Sequence, residues 1–242
     1  MRNLDRGPTM KSVRDTATFV LLFTVSALML AANYMVFLYA PDEKVMGAVQ
    51  RIFYFHVPSA IVAFLSTFVM LAGSIGYLWT RGRVWDNLGR SATELALLFC
   101  ALVLITGPIW AKPAWGVWWT WEARLTTTLL LGLLLAACVM VRSYAETPEQ
   151  GARLASVLGI VAALDVPIIY KAVDWWRGQH PVVFGPGKKD PLALEMRNTF
   201  LFCLMVFFLL YGLLLALRTR IASYEDRVRD AAETLAARGE VV

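Results

Sequence analysis

The sequence predicts an all-α integral membrane protein of six transmembrane helices, with both termini cytoplasmic and short interfacial helices in the outer loops. Three observations predict it. Of 242 residues, 58% are apolar and only 17% charged, against about 25% charged in an ordinary soluble domain, and the mean hydropathy is +0.58. The apolar residues gather into six charge-poor runs, each near the ~20 residues that cross a bilayer as helix. Finally, Lys and Arg are unevenly divided between the two sets of connecting segments.

The runs are 17–40, 57–80, 95–111, 125–141, 154–170 and 198–217, the fifth interrupted only by Asp165. They divide the chain into a cytoplasmic N-terminal segment (1–16), a six-helix membrane domain (17–217) that carries a tryptophan-rich outer loop (112–124), and a cytoplasmic C-terminal tail (218–242). The first run exceeds the 7–15 apolar residues of a typical secretory signal and has no small-x-small cleavage site before Pro41, so it stays as a spanning helix. Segments on the side of the termini hold fourteen of the 23 Lys and Arg and the other side holds nine; the richer side is the cytoplasmic one. The net charge of +5 is thereby assigned to the membrane surface and not to nucleic acid.

This orientation places both His of the chain, His56 and His180, on the outer side, together with seven of its nine Trp. Chemistry is expected there. Cys100, Cys138 and Cys203 lie inside apolar runs with no CxxC spacing, which indicates neither a disulfide framework nor a thiolate metal site. No GxxxxGK[ST] phosphate loop occurs. The tail from Arg218 onward, with Glu225 and Arg229 at i,i+4, suits an exposed helix and is assigned no function.

In the first outer loop, Val45, Val49, Ile52, Phe53 and His56 recur at helical spacing, which predicts an amphipathic interfacial helix, and Pro58 opens the second span. His56 there either hydrogen-bonds a loop carbonyl or serves as a ligand. In the second loop, a helical reading places Trp115, Trp118, Trp119 and Glu122 on one face, with Trp121 on the flank and Gly116 leaving room for a flat group. Four indoles so close exceed what an interfacial aromatic belt uses and suit a planar apolar ligand. The third loop brings Trp175 and Trp176, then His180, then an irregular stretch at Pro181, Gly185, Pro186 and Gly187. Arg177, Lys188 and Lys189 near it meet either lipid headgroups or a ligand. Asp165, a carboxylate within a span just before Pro167, faces the protein interior or a polar cavity, where a structural bond to backbone freed by the proline is favoured.

Two neutral imidazoles, a wall of aromatics and several cations together fit haem. Its iron takes an axial nitrogen from each side, its faces stack on indoles and its propionates pair with Arg or Lys. The run WGVWWTWEARLT at 115–126 resembles the tryptophan-rich WWD signature of the haem-handling proteins of cytochrome c maturation. Six spans, about 240 residues, FHVPSA around His56 and DWW before His180 are similar to the haem exporter protein C family of the bacterial multi-component system, over 17–217. The sequence departs from the family at Glu122, where the motif usually has Asp.

The resemblance implies that His56 and His180 are the axial ligands of haem b. It implies that Trp115, Trp118, Trp119 and Trp121, with Glu122, form the porphyrin platform and that Arg124 serves the propionates. It further implies a non-catalytic protein of the bacterial inner membrane that presents haem to a periplasmic haem chaperone. The implied partners are that chaperone, an ABC-type ATP-binding subunit, a second membrane subunit and a small single-span protein. Two other readings stand beside it. An electron-transfer cytochrome would hold haem between spans, and no apolar run contains a His. A transporter would use broken helices such as that at Gly107-Pro108. Ser59 near His56 lacks the acidic partner of a protease triad.

Overall fold

The computed structural model describes residues 10–176 and 192–238, the side chains of 10–15 excepted. Among the described residues, six helices are long and apolar enough to cross a membrane. They are α1 (Met10–Tyr34), α2 (Phe53–Thr80), α3 (Arg83–Trp115), α4 (Ala123–Tyr144), α5 (Pro148–Trp176) and α6 (Leu194–Ala237). A wider π-type turn, Met35–Tyr39, extends α1, and a 3₁₀ turn, Ala48–Ile52, leads into α2.

The apolar runs place the helices correctly but understate their length. The segment 81–94, expected as a connection, is almost all helix: only Arg81, in the left-handed conformation with φ 56°, and Gly82 separate α2 from α3. The hydrocarbon sets the apolar minimum of a span, whereas the polar helix beyond it is held by side-chain pairing. Arg90 meets Glu225 at 2.9 Å, Arg218 Nη2 donates to Glu94 at 2.7 Å, Asn87 donates to Asp226 at 2.9 Å, and Arg83 pairs with Asp230. The tail is thus the last part of a 44-residue α6, zipped along the start of α3. Arg229 accordingly pairs with Asp226 at 2.6 Å, while Glu225 turns to Arg90. Near this end Arg220 also donates to Thr18 of α1 at 2.8 Å, so the first turns of α1 and the polar part of α6 lie side by side.

Close helix contact is made by small residues, the usual device where lipid removes any hydrophobic drive between helices. α2 and α3 cross at Gly73 and Gly89, and a Cβ on Gly73 would lie 2.6 Å from the Gly89 nitrogen. Gly76 lies against the Trp85 ring in the same way. An inner cluster gathers Met70, Phe99, Leu131, Leu135 and Ile169, and a second packs Val36, Phe53 and Tyr54 against Phe200 and Val206 of α6. Phe19, Phe23, Leu133, Leu164 and Leu201 point outward, as lipid-facing side chains do.

The interfacial helices of the outer loops are present only in part. Val45 is 90% exposed and precedes any helix. Glu43 instead organises that loop, its carboxylate accepting the backbone N–H groups of Val45 at 2.8 Å and Met46 at 2.6 Å, which holds the carboxyl below its usual range.

Candidate haem site at the tryptophan-loop end

A cavity of 570 Å³ lies between α2, α3, α4 and α5 at the end of the bundle that carries residues 116–122. That size falls within the ~300–1,000 Å³ of small-molecule and cofactor sites. Ala60, Ile61, Phe64 and Leu104 give it an apolar wall, and Leu131 and Cys100 close it on the side of the inner core. His56, Trp115, Trp119 and Arg124, all expected at the site, line it together.

His56 lies in the first turn of α2, not in a separate loop helix, and is 8% exposed. It stands edge-on to Trp110, ring centroids 5.7 Å apart at 72°. Its Nδ1 lies 2.8 Å from the Thr106 hydroxyl oxygen. No apolar run contains a His, but the helix that carries the second run extends back past His56.

The tryptophan loop is not helical, which overturns the single-face arrangement of its indoles. α3 ends at Trp115, and Gly116 caps it with φ 79°. Its N–H reaches the Lys112 carbonyl at 2.9 Å, while Lys112 Nζ donates to the Gly116 carbonyl at 2.9 Å. Residues 116–122 then run without helix until Glu122 caps α4, its carbonyl accepting the Thr126 N–H at 3.0 Å. Extended backbone sends neighbouring side chains apart. Trp115 and Trp119 therefore meet the cavity while Trp118 and Trp121, 59% and 76% exposed, do not line it. Trp121 instead stands edge-on to Trp119 at 5.8 Å. Gly116→Ala places a side chain at positive φ with open space around it. A loss of about 1–2 kcal/mol is expected, read by equilibrium unfolding in mixed detergent.

Arg124 begins α4 and donates to the Tyr170 carbonyl of α5 at 3.2 Å. Its Nε, together with Trp110 Nε1 and Trp119 Nε1, is buried with no hydrogen-bond partner among the described residues. Leaving a buried donor unmet costs about 1–3 kcal/mol, yet all three residues line this one cavity. The donor set fits a ligand that combines a broad apolar body with anionic oxygens, as haem does with its propionates.

Several expected residues lie elsewhere. His180, Arg177, Lys188 and Lys189 fall outside the described residues. Trp175 and Trp176 end α5, exposed and edge-on to each other at 5.7 Å. Asp165 is 5% exposed and its Oδ2 accepts no hydrogen bond among the described residues, so that oxygen does not hold the backbone freed by Pro167. One turn on, Ile169 and Tyr170 reach the cavity where Asp165 does not. Conversely, Met46, Thr106 and Trp110 shape the site without standing out in the sequence. Gly107 lies beside the imidazole, where a Cβ would sit 3.5 Å from His56 Cε1; the Gly107-Pro108 pair marks the position but not its role. Among the described residues no group of three or more His, Cys, Asp or Glu is placed to hold a metal.

A family model described as "Heme exporter protein C" matches residues 3–234. Among curated proteins, a heme exporter protein C of Bradyrhizobium diazoefficiens is 37% identical over 141 residues, 58% of this chain and 54% of that protein. One of Paracoccus denitrificans is 32% identical over 184 residues, 74% of this chain and 76% of its own length. One of Haemophilus influenzae is 32% identical over 205 residues, covering 82% and 81%. The match to the first of these spans about half of that relative's length.

Proposed function

The chain belongs to the haem exporter protein C family, and from that premise we propose that it binds haem b in the 570 Å³ cavity and delivers it for cytochrome c maturation. On this reading the cavity end of the bundle faces the periplasm, both termini are cytoplasmic, and the membrane is the bacterial inner membrane. The acceptor is a periplasmic haem chaperone. The further partners are an ATP-binding subunit and a membrane subunit of an ABC-type complex and a small single-span protein.

The observation that carries the reading is the convergence of His56, Trp115, Trp119 and Arg124 on one cavity with three unmet N–H donors around it. His56 and His180 would hold the iron of a bound haem through imidazole nitrogens. Trp115 and Trp119 supply ring area against the porphyrin. Arg124, tethered through Tyr170, receives a propionate. The chain attacks nothing itself; holding the iron and the carboxylates fixes which edge of the ring a docked acceptor meets, a proximity effect.

The four indoles test this reading. Trp115→Ala with Trp119→Ala should lower haem retention far more than Trp118→Ala with Trp121→Ala, read as Soret absorbance of purified protein after gel filtration. Equal effects of the two pairs would remove the cavity from the account. Full retention in the second pair, followed by poor transfer to a chaperone, would assign the exposed indoles to the acceptor.

A further inference from the structure

We propose that Thr106 is a positioning residue for His56, holding the imidazole with its proton on Nδ1 so that Nε2 is the coordinating nitrogen. The proposal rests on the reading above of His56 as an iron ligand and adds which residue selects its tautomer. The argument is one of hydrogen-bond direction. Thr106 Oγ1 lies 2.7 Å from the Leu102 carbonyl oxygen, and a carbonyl only accepts, so the single hydroxyl proton is spent there. The 2.8 Å contact to His56 Nδ1 then has to be donated by the imidazole, because a hydroxyl has one proton and further lone pairs. A neutral imidazole protonated at Nδ1 carries its lone pair on Nε2.

The same turn of α3 completes the fit. Thr106 orients the ring, Gly107 leaves its Cε1 edge uncovered by a side chain, and Trp110 packs edge-on against it. The helix that ends in the tryptophan loop thus also fixes the ligand on α2, so ligand and platform move as one body. A hydrogen bond donated by the second nitrogen of a ligating His makes it a better ligand, and losing such a partner typically weakens metal binding by about 10- to 100-fold.

The test needs no haem for its first half. The chain contains two His, so ¹⁵N-histidine labelling of the haem-free protein gives two imidazole spin systems, and His56→Ala identifies one of them. Wild type should show the Nδ1–H tautomer at His56, Thr106→Val should lose it, and Thr106→Ser should keep it. In the second half, haem titration should show about 10- to 100-fold weaker binding in Thr106→Val, with a raised iron midpoint potential, and recovery in Thr106→Ser. An unchanged tautomer in Thr106→Val overturns the proposal, as does a changed tautomer with wild-type affinity and potential. If His56→Ala itself binds haem like wild type, the ligand reading fails and the proposal falls with it, through a measurement separate from the tautomer. Valine matches threonine in shape, and an unchanged circular dichroism spectrum confirms that the helix is intact.

Discussion

In a His56→Gly variant, haem retention is expected to fall by more than the roughly 100-fold that the loss of an outer hydrogen-bond partner produces, because the ligand itself is gone. The low-spin visible bands of a six-coordinate haem should be lost with it. Free imidazole is then expected to restore both. Removing the side chain opens space beside Gly107 and Trp110, and Thr106 Oγ1 remains to accept the proton of the added ring. Rescue separates loss of a ligand from loss of the fold, since a misfolded protein gains nothing from imidazole. Wild-type absorbance in the unrescued variant would exclude His56 as a ligand. His180→Gly should respond in the same way, and it tests the second axial position independently of any geometry in the first.

Gly73→Ala should destabilise the protein by about 1–3 kcal/mol or more in equilibrium unfolding from mixed detergent micelles. An added Cβ meets the backbone of α3: the Gly89 nitrogen at 2.6 Å, the Gly89 Cα at 2.7 Å and the Trp85 carbonyl oxygen at 3.1 Å. Backbone cannot rotate away as a side chain can, so α2 and α3 must separate. Gly212→Ala provides the control, because nothing lies within 4 Å of its Cβ position. Alanine there should be neutral or should stabilise, since glycine inside a helix costs about 0.5–1 kcal/mol. The opposite signs at two helical glycines follow from contact alone; equal effects would show that the α2–α3 crossing is not tight. The consequence reaches the site, because α2 carries His56 and α3 carries Thr106. Gly73→Ala should therefore also weaken haem binding.

The sequence made the ligand candidates legible because histidine is scarce in this chain and tryptophan is concentrated near 115–121. It did not make the shape of the site legible. The helical reading put Trp115, Trp118, Trp119 and Glu122 on one face, but Gly116 at φ 79° ends α3 and the indoles part company. Two now line the cavity and two stand exposed. Thr106 carries no sequence signal beyond being a threonine in an apolar run, a setting in which it usually bonds its own helix. It does bond Leu102, and that bond is what turns the imidazole into the donor.

By itself the sequence determined the six spans, the end of the bundle where aromatics and histidine collect, and the family. These depend on local composition: hydrocarbon excludes charge run by run, whatever the rest of the chain does. The tertiary structure alone decided which indoles share a cavity with His56, which hydroxyl sets its tautomer, and that the polar ends of α3 and α6 are helices joined by ion pairs. His56 and Thr106 are 50 residues apart and Arg218 and Glu94 are 124 apart. Contacts of that reach are fixed by how helices cross, and the crossing is set by backbone approach at residues such as Gly73 and Gly89, which no periodicity in the chain reports.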